Sequence, residues 1–181
     1  MTRTSLVLAT TLATIGVSVP AITPMPIKLI WNASASAPVG FYTTTPADAL
    51  EMHELVAVMP PAPLARFAVS RGYVGAGVPL LKRVLGLPGQ RVCRTGRIVT
   101  VDGVEMGEAL ERDRMGRELL VWRGCRTIAP DELFLMNRGV SHSFDGRYFG
   151  PLPAAAVIGR AVPLFTDEDG DGRFVWRART R

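Results

Sequence analysis

Apolar residues fall along this chain in two ways. From Thr4 to Ile27 no charge interrupts them, and Ser5–Val19 is the apolar heart of that stretch. Beyond it they come in short runs cut by Gly, Pro and charged residues, the spacing of strands rather than of long helices. Leu55–Met59 predicts a buried strand stopped by Pro60-Pro61. Pro63–Arg71 sets Leu64, Phe67 and Ala68 on one face and predicts a short helix ending at Gly72. Val78–Leu85 predicts the next strand, closed by Gly86-Leu87-Pro88-Gly89. Arg91–Cys93 and Ile98–Val101 read as strands, with a tight hairpin at Asp102-Gly103 before Val104. Glu108–Glu118 is polar and reads as a surface loop, followed by strands at Leu119–Trp122 and Pro130–Met136. Ala155–Leu164 and Phe174–Trp176 complete the sheet. The 181 residues therefore predict one mainly β domain over 28–181, preceded by a separate segment over 1–27.

That segment is about long enough to cross a bilayer as one helix, although Pro20, Pro24 and Pro26 should end the helix early. Arg3 and the α-amine precede it, so the excess positive charge stays in the cytoplasm and the domain lies outside. Residues 1–27 then form a transmembrane anchor in the cytoplasmic (inner) membrane, single-pass, with the domain in the periplasm. A cleavable secretory leader competes, with Arg3 as its basic end and Ala33-Ser34-Ala35 or Ala35-Ser36-Ala37 as the small-residue cut. Those sites lie well beyond the apolar heart, with prolines, Lys28 and Trp31 between, which favours the anchor.

Composition changes the picture in two places. The chain is 48% hydrophobic, too apolar for disorder, and carries a net charge of +5. Its arginines are scattered apart from Arg173, Arg177, Arg179 and Arg181, and no nucleic-acid motif accompanies them, so the charge reads as a solvated basic surface near an anionic membrane rather than a nucleic-acid site. Cys93 and Cys125 lack metal-site spacing. Outside the cytoplasm they can form a disulfide; two buried thiols fit equally.

Chemistry concentrates in three places. In Asn32–Tyr42, Ser34 and Ser36 are two apart, so an extended strand points both hydroxyls to one side, with alanines leaving room for another backbone and Pro38 and Gly40 turning the chain. A bland loop, a leader's end, or a nucleophile with a helper all fit. Lys82 lies inside the apolar run Leu80–Leu85. It either snorkels outward or, facing a dry site, loses its proton and becomes a base. Ser141–Pro151 places Ser143, Asp145 and Arg147 on one side of a strand or turn, where a hydroxyl can orient an amine and an Asp–Arg pair can brace the loop.

Ser34-Ala35-Ser36 with its following proline, Lys82–Gly89, and Ser143–Gly150 resemble, in order, the boxes of the type I signal peptidase superfamily, and Asn32–Tyr42 resembles its conjugative-transfer branch of TraF-type pilin-maturation peptidases. The resemblance spans Trp31 to about Ala161. It implies a signal-peptidase/LexA-like β-rich catalytic domain on one N-terminal transmembrane helix. It further implies Ser36 as nucleophile, Lys82 as general base, Ser34 with the Ser36 N–H as oxyanion hole, and Ser143, Asp145 and Arg147 in support. No metal or cofactor enters this chemistry. Two departures stand out: one residue fewer separates Ser36 from Pro38, which favours the transfer branch, and Asn137-Arg138-Gly139-Val140 replaces the usual Gly-Asp-Asn-Arg segment.

Weaker motifs point elsewhere. Asp167–Gly172 begins like an EF-hand loop, but Ala178 stands at the closing position. His142 near Asp145 suggests a Ser-His-Asp triad only by letter, and Asn32-Ala33-Ser34 is likewise a glycosylation sequon only by letter. The expected partner is an extended peptide segment of a pilin or secreted precursor, with small residues near the cut, released by water or by an amine that gives a cyclic product. A general leader peptidase and a non-catalytic β-domain of a secretion channel are the alternatives.

Overall fold

A computed structural model describes residues 2–22 and 26–179; Pro24 and Arg181 lie outside the described residues. Helix α1 (Arg3–Ile22) leads, followed by strands β1 (Leu29–Asn32), β2 (Val39–Thr45) and β3 (Leu55–Val58). Helix α2 (Ala62–Ser70), with Pro at its first turn, precedes β4 (Leu80–Gly86). Strands β5 (Arg91–Thr95), β6 (Ile98–Val101), β7 (Val104–Glu108), β8 (Gly124–Thr127) and β9 (Glu132–Leu135) come next. A single turn of helix, α3 (Gly146–Phe149), then leads to β10 (Leu152–Pro153), β11 (Val157–Asp167) and β12 (Phe174–Trp176).

The strands form two antiparallel sheets. The larger has the order β1-β2-β11-β3-β4-β9-β10, with β12 also on β11; the smaller runs β7-β6-β5-β8. Central β3 is buried at all four positions, and β4 at six of its seven, so both read as apolar runs rather than as alternations. Leu85 and Phe134 of the larger sheet, with Met136 just past β9, share a core with Val92, Val99, Val101 and Met106 of the smaller, which joins the two. The predicted hairpin forms at Asp102 and Gly103, both with positive φ as a two-residue turn requires.

The sequence reading needs correction at several points. Helix α1 continues past Pro20 to Ile22. Apart from these corrections, no helix among the described residues is long and apolar enough to cross a membrane. Leu119–Trp122 is not a strand: the edge of β5 is taken by β8, and Trp122 instead donates Nε1–H to Gly146 O at 3.0 Å. Gly40 does not turn the chain but lies inside β2 at φ +146°, where a Cβ would stand 2.2 Å from Phe165 O. Of the two readings of the cysteines the bridge is the one formed, with Cys93 and Cys125 directly opposite on β5 and β8.

Candidate active site

Ser34 and Ser36 do not lie on an extended strand. They occupy the connection between β1 and β2, which pair Asn32 with Gly40. Asn32 shapes that connection from inside. Its Nδ2 is within hydrogen-bond reach of the carbonyls of Ser34, Ala37 and Pro38, and its Oδ1 accepts from the Ser34 N–H and Oγ–H. Each such bond is worth about 1 kcal/mol, and together they replace the ladder that the turn gives up. The Tyr42 hydroxyl adds a bond to Pro38 O at 2.7 Å. The turn brings the two hydroxyls together, with Ser34 Oγ 2.9 Å from Ser36 Oγ. Among the described residues, the Ser36 N–H has no acceptor.

Lys82 does not snorkel. On β4 it pairs with Val56 of the fully buried β3 and is itself only 3% exposed. Its Nζ stands 3.5 Å from Ser36 Oγ and donates to Ser143 Oγ at 2.9 Å. Burial pushes the ammonium down from 10.5 to about 8; the Asp145 charge opposes this and the Arg147 charge adds to it. A lysine so placed sheds its proton at a lower pH than an exposed one, as a base working near neutral pH must.

Ser143, Asp145 and Arg147 sit in a turn entering α3, all buried. The Asp145 carboxylate caps α3 through the Arg147 N–H and pairs with the Arg147 guanidinium at 2.8 Å. It also accepts the Asn137 N–H at 3.1 Å. Arg147 Nη2 reaches Val140 O at 2.5 Å, Asn137 O and Ser143 O. The ion pair thus holds the backbone that carries Ser143.

Asn137 is a site residue the sequence reading missed. Its Nδ2 donates to Ser36 O at 2.6 Å and Leu81 O at 3.0 Å, while its Oδ1 accepts the Arg83 N–H. One side chain therefore ties the serine turn to the lysine strand. Two signals pointed to it: the departure at Asn137–Val140, and an Asn directly after the apolar run Leu133–Met136, where a buried amide needs partners. Asn32, at the end of β1, carries the same signal.

His142 is exposed and is not part of this cluster, and the Asp145 carboxylate is already engaged by Arg147 and Asn137. Asp167 caps its own turn, accepting from the N–H groups of Gly170, Asp171 and Gly172. The serine turn opens on a cleft of about 910 Å³ that Ser34, Ser36, Lys82 and Ser143 share with Arg71 and Tyr73. A hydroxyl, an amine with a lowered pKa and an unused N–H at one cleft wall suit acyl transfer.

Residues 2–165 match the family described as signal peptidase, peptidase S26. A probable conjugal transfer protein TraF of Sinorhizobium fredii is 36% identical over 145 residues, 75% of this chain and 76% of that protein. A plasmid transfer protein TraF of Escherichia coli is 33% identical over 146 residues, 75% of this chain and 81% of that protein. Among solved structures, a signal peptidase I of Enterococcus faecalis V583 superposes with a TM-score of 0.39 at 20% identity, over 62% of this chain and 97% of that one.

Proposed function

The chain belongs to the signal peptidase S26 family, in its TraF-type branch, and from that membership we propose that it is a membrane-anchored serine endopeptidase that cuts a pilin or leader-bearing precursor during conjugative transfer. The observation that carries this reading is the buried Lys82 amine, 3.5 Å from Ser36 Oγ and held by Ser143. In the proposed reaction neutral Lys82 takes the Ser36 proton as Oγ attacks the peptide carbonyl. The Ser36 N–H receives the oxyanion, joined by the Ser34 hydroxyl once it turns its hydrogen from Asn32 Oδ1, each donor worth about 3–4 kcal/mol. Lys82 then returns the proton to the leaving amine. Water releases the acyl group as an acid; an amine, such as the substrate's own N-terminus, releases it as an amide and so gives a ring. The substrate lies extended, and the alanines flanking Ser36 favour small residues near the cut.

Three features support a membrane location with the domain in the periplasm. The disulfide suits an oxidising compartment. Along α1, Leu6, Val7, Leu8, Leu12 and Ile15 are exposed, and the hydroxyls of Thr10, Thr11 and Thr14 bond back to carbonyls four residues earlier, which lowers the cost of placing them in lipid. Next to α1 in sequence, exposed Trp31 and Phe41 contact each other, and Phe165 contacts Trp176; such rings suit a membrane interface.

The test is the purified protein with a pilin-like or leader-like peptide, followed by mass spectrometry. Ser36→Ala and Lys82→Arg should abolish cleavage, the second despite keeping the charge, because arginine is no base. Near wild-type turnover by either would leave a structural role as the better reading. A product lighter than the acid by one water distinguishes aminolysis from hydrolysis.

A further inference from the structure

The cleft continues beyond Lys82 to a wall carrying Arg71, Tyr73, Asp113, Arg114 and Arg117. The charges there do not balance. Asp113 is fully engaged, accepting from the Tyr73 hydroxyl at 2.6 Å, from Arg117 Nε at 2.7 Å and from the N–H groups of Met115 and Arg117. It neutralises Arg117, which also donates to Arg71 O at 2.9 Å. Arg71 and Arg114 have no acidic partner among the described residues. The Arg71 guanidinium lies over the Phe67 ring at 5.0 Å, which holds its plane, and its Nη1 is buried with no hydrogen-bond partner among the described residues. A half-buried guanidinium on a cleft wall with no acidic partner, beside a second one, points to an anionic acceptor that arrives with a ligand. The group that best fits a fixed planar guanidinium is a carboxylate.

We infer that Arg71, with Arg114 beside the same cleft, forms a subsite for a carboxylate of the peptide substrate, either an acidic side chain or the C-terminal carboxylate. The inference rests on the cleft being the substrate groove of the proposed peptidase. The subsite sets which peptides are held, not how the bond is cut. Arg71 is therefore a specificity residue, and its effect belongs in binding.

The test measures binding without cleavage. Full-length Ser36→Ala protein is titrated into fluorescein-labelled Ala/Ser peptides, followed by anisotropy. One Glu, or Gln as its neutral match, is walked along the peptide, and each peptide is made both with a free C-terminal carboxylate and as the amide. The expected result is roughly tenfold tighter binding of the carboxylate form at one position, a ratio that falls with added salt. A Glu-over-Gln preference identifies a side chain as the source, and an acid-over-amide preference identifies the C-terminus; either supports the subsite. Arg71→Met, which keeps an unbranched stem but removes the guanidinium, should bring the ratio towards one. Arg71→Lys should keep part of it, and Arg114→Gln should lower it. Equal binding of charged and neutral peptides, no binding of any peptide, or an unchanged ratio in folded Arg71→Met overturns the inference. Cleavage by the Ser36 protein is scored separately, so loss of the subsite and loss of the peptidase reading give different results.

Discussion

Asn137 donates its Nδ2 hydrogen to the main-chain carbonyl of Ser36 at 2.6 Å, across 101 residues of chain. The same amide bonds Leu81 O and Arg83 N on either side of Lys82, so it sets how far the hydroxyl stands from the amine. Asn137→Asp keeps the acceptor for Arg83 but loses both donors. It is expected to lower kcat by on the order of a hundredfold through misplacement of the serine turn, and to destabilise the fold by about 1–3 kcal/mol. Single-turnover rates and urea denaturation check this; a wild-type kcat would remove Asn137 from the positioning of the site.

The pH dependence has a definite sign. Lys82 titrates at about 8 in the folded protein, lowered by burial from 10.5. The rate is therefore expected to rise with pH through about 8, as the amine becomes a base. Between about 8 and 10.5 the unfolded chain keeps a proton that the folded one has shed, so the Lys82 contribution to stability rises with pH across that window. Below it both states are protonated, and the cost of the buried charge is fully present. A pH–rate profile with denaturation measured at several pH values checks both; a rate that falls through this range contradicts the lysine-base mechanism.

Asp145 and Arg147 form an ion pair with side chains 0% and 2% exposed. Asp145→Ala strands the Arg147 charge and is expected to cost about 3–5 kcal/mol. It also removes the charge that holds the Lys82 ammonium up, so any activity that survives should have its pH midpoint shifted downward. Thermal unfolding and the pH profile of the variant read the two effects separately. An unmoved midpoint would mean that the two groups do not sense each other.

The Cys93–Cys125 bridge closes a separation of 32 residues within the smaller sheet. Unreduced protein should show no free thiol, and replacing both cysteines with serine should cost about 2–4 kcal/mol. Two thiols labelled without reductant would mean that the bridge is not made.

How much of this was legible depends on how local each feature is. The buried runs Leu55–Met59 and Val78–Leu85 named β3 and β4, and so placed Lys82 on an interior strand. The Asp102-Gly103 turn was legible because only certain residues tolerate positive φ in succession. Leu119–Trp122 misled because an apolar run does not say whether a ladder edge is free; β8 had taken it. Ser34 and Ser36 were expected on a strand because the two-residue spacing ignores Asn32, whose side chain replaces the ladder with a turn. Asn137 escaped because its partners are Ser36, Leu81 and Arg83, none of them near it in sequence.

The two halves of the site also differ in when they can exist. Asn32 shapes the serine turn through contacts at most six residues away, so that half forms as soon as its own hairpin does. The lysine half waits for Ser143, 61 residues beyond Lys82, and for Asn137 to reach back to Ser36. Contacts of such span close late, after the sheet has assembled. On the proposed reading the growing chain therefore carries a hydroxyl with no base beside it, and cutting waits until folding is finished. A chain ending before Asn137 would hold the turn and remain inert, a timing that spares the chain from itself while its own peptide bonds are still extended and exposed.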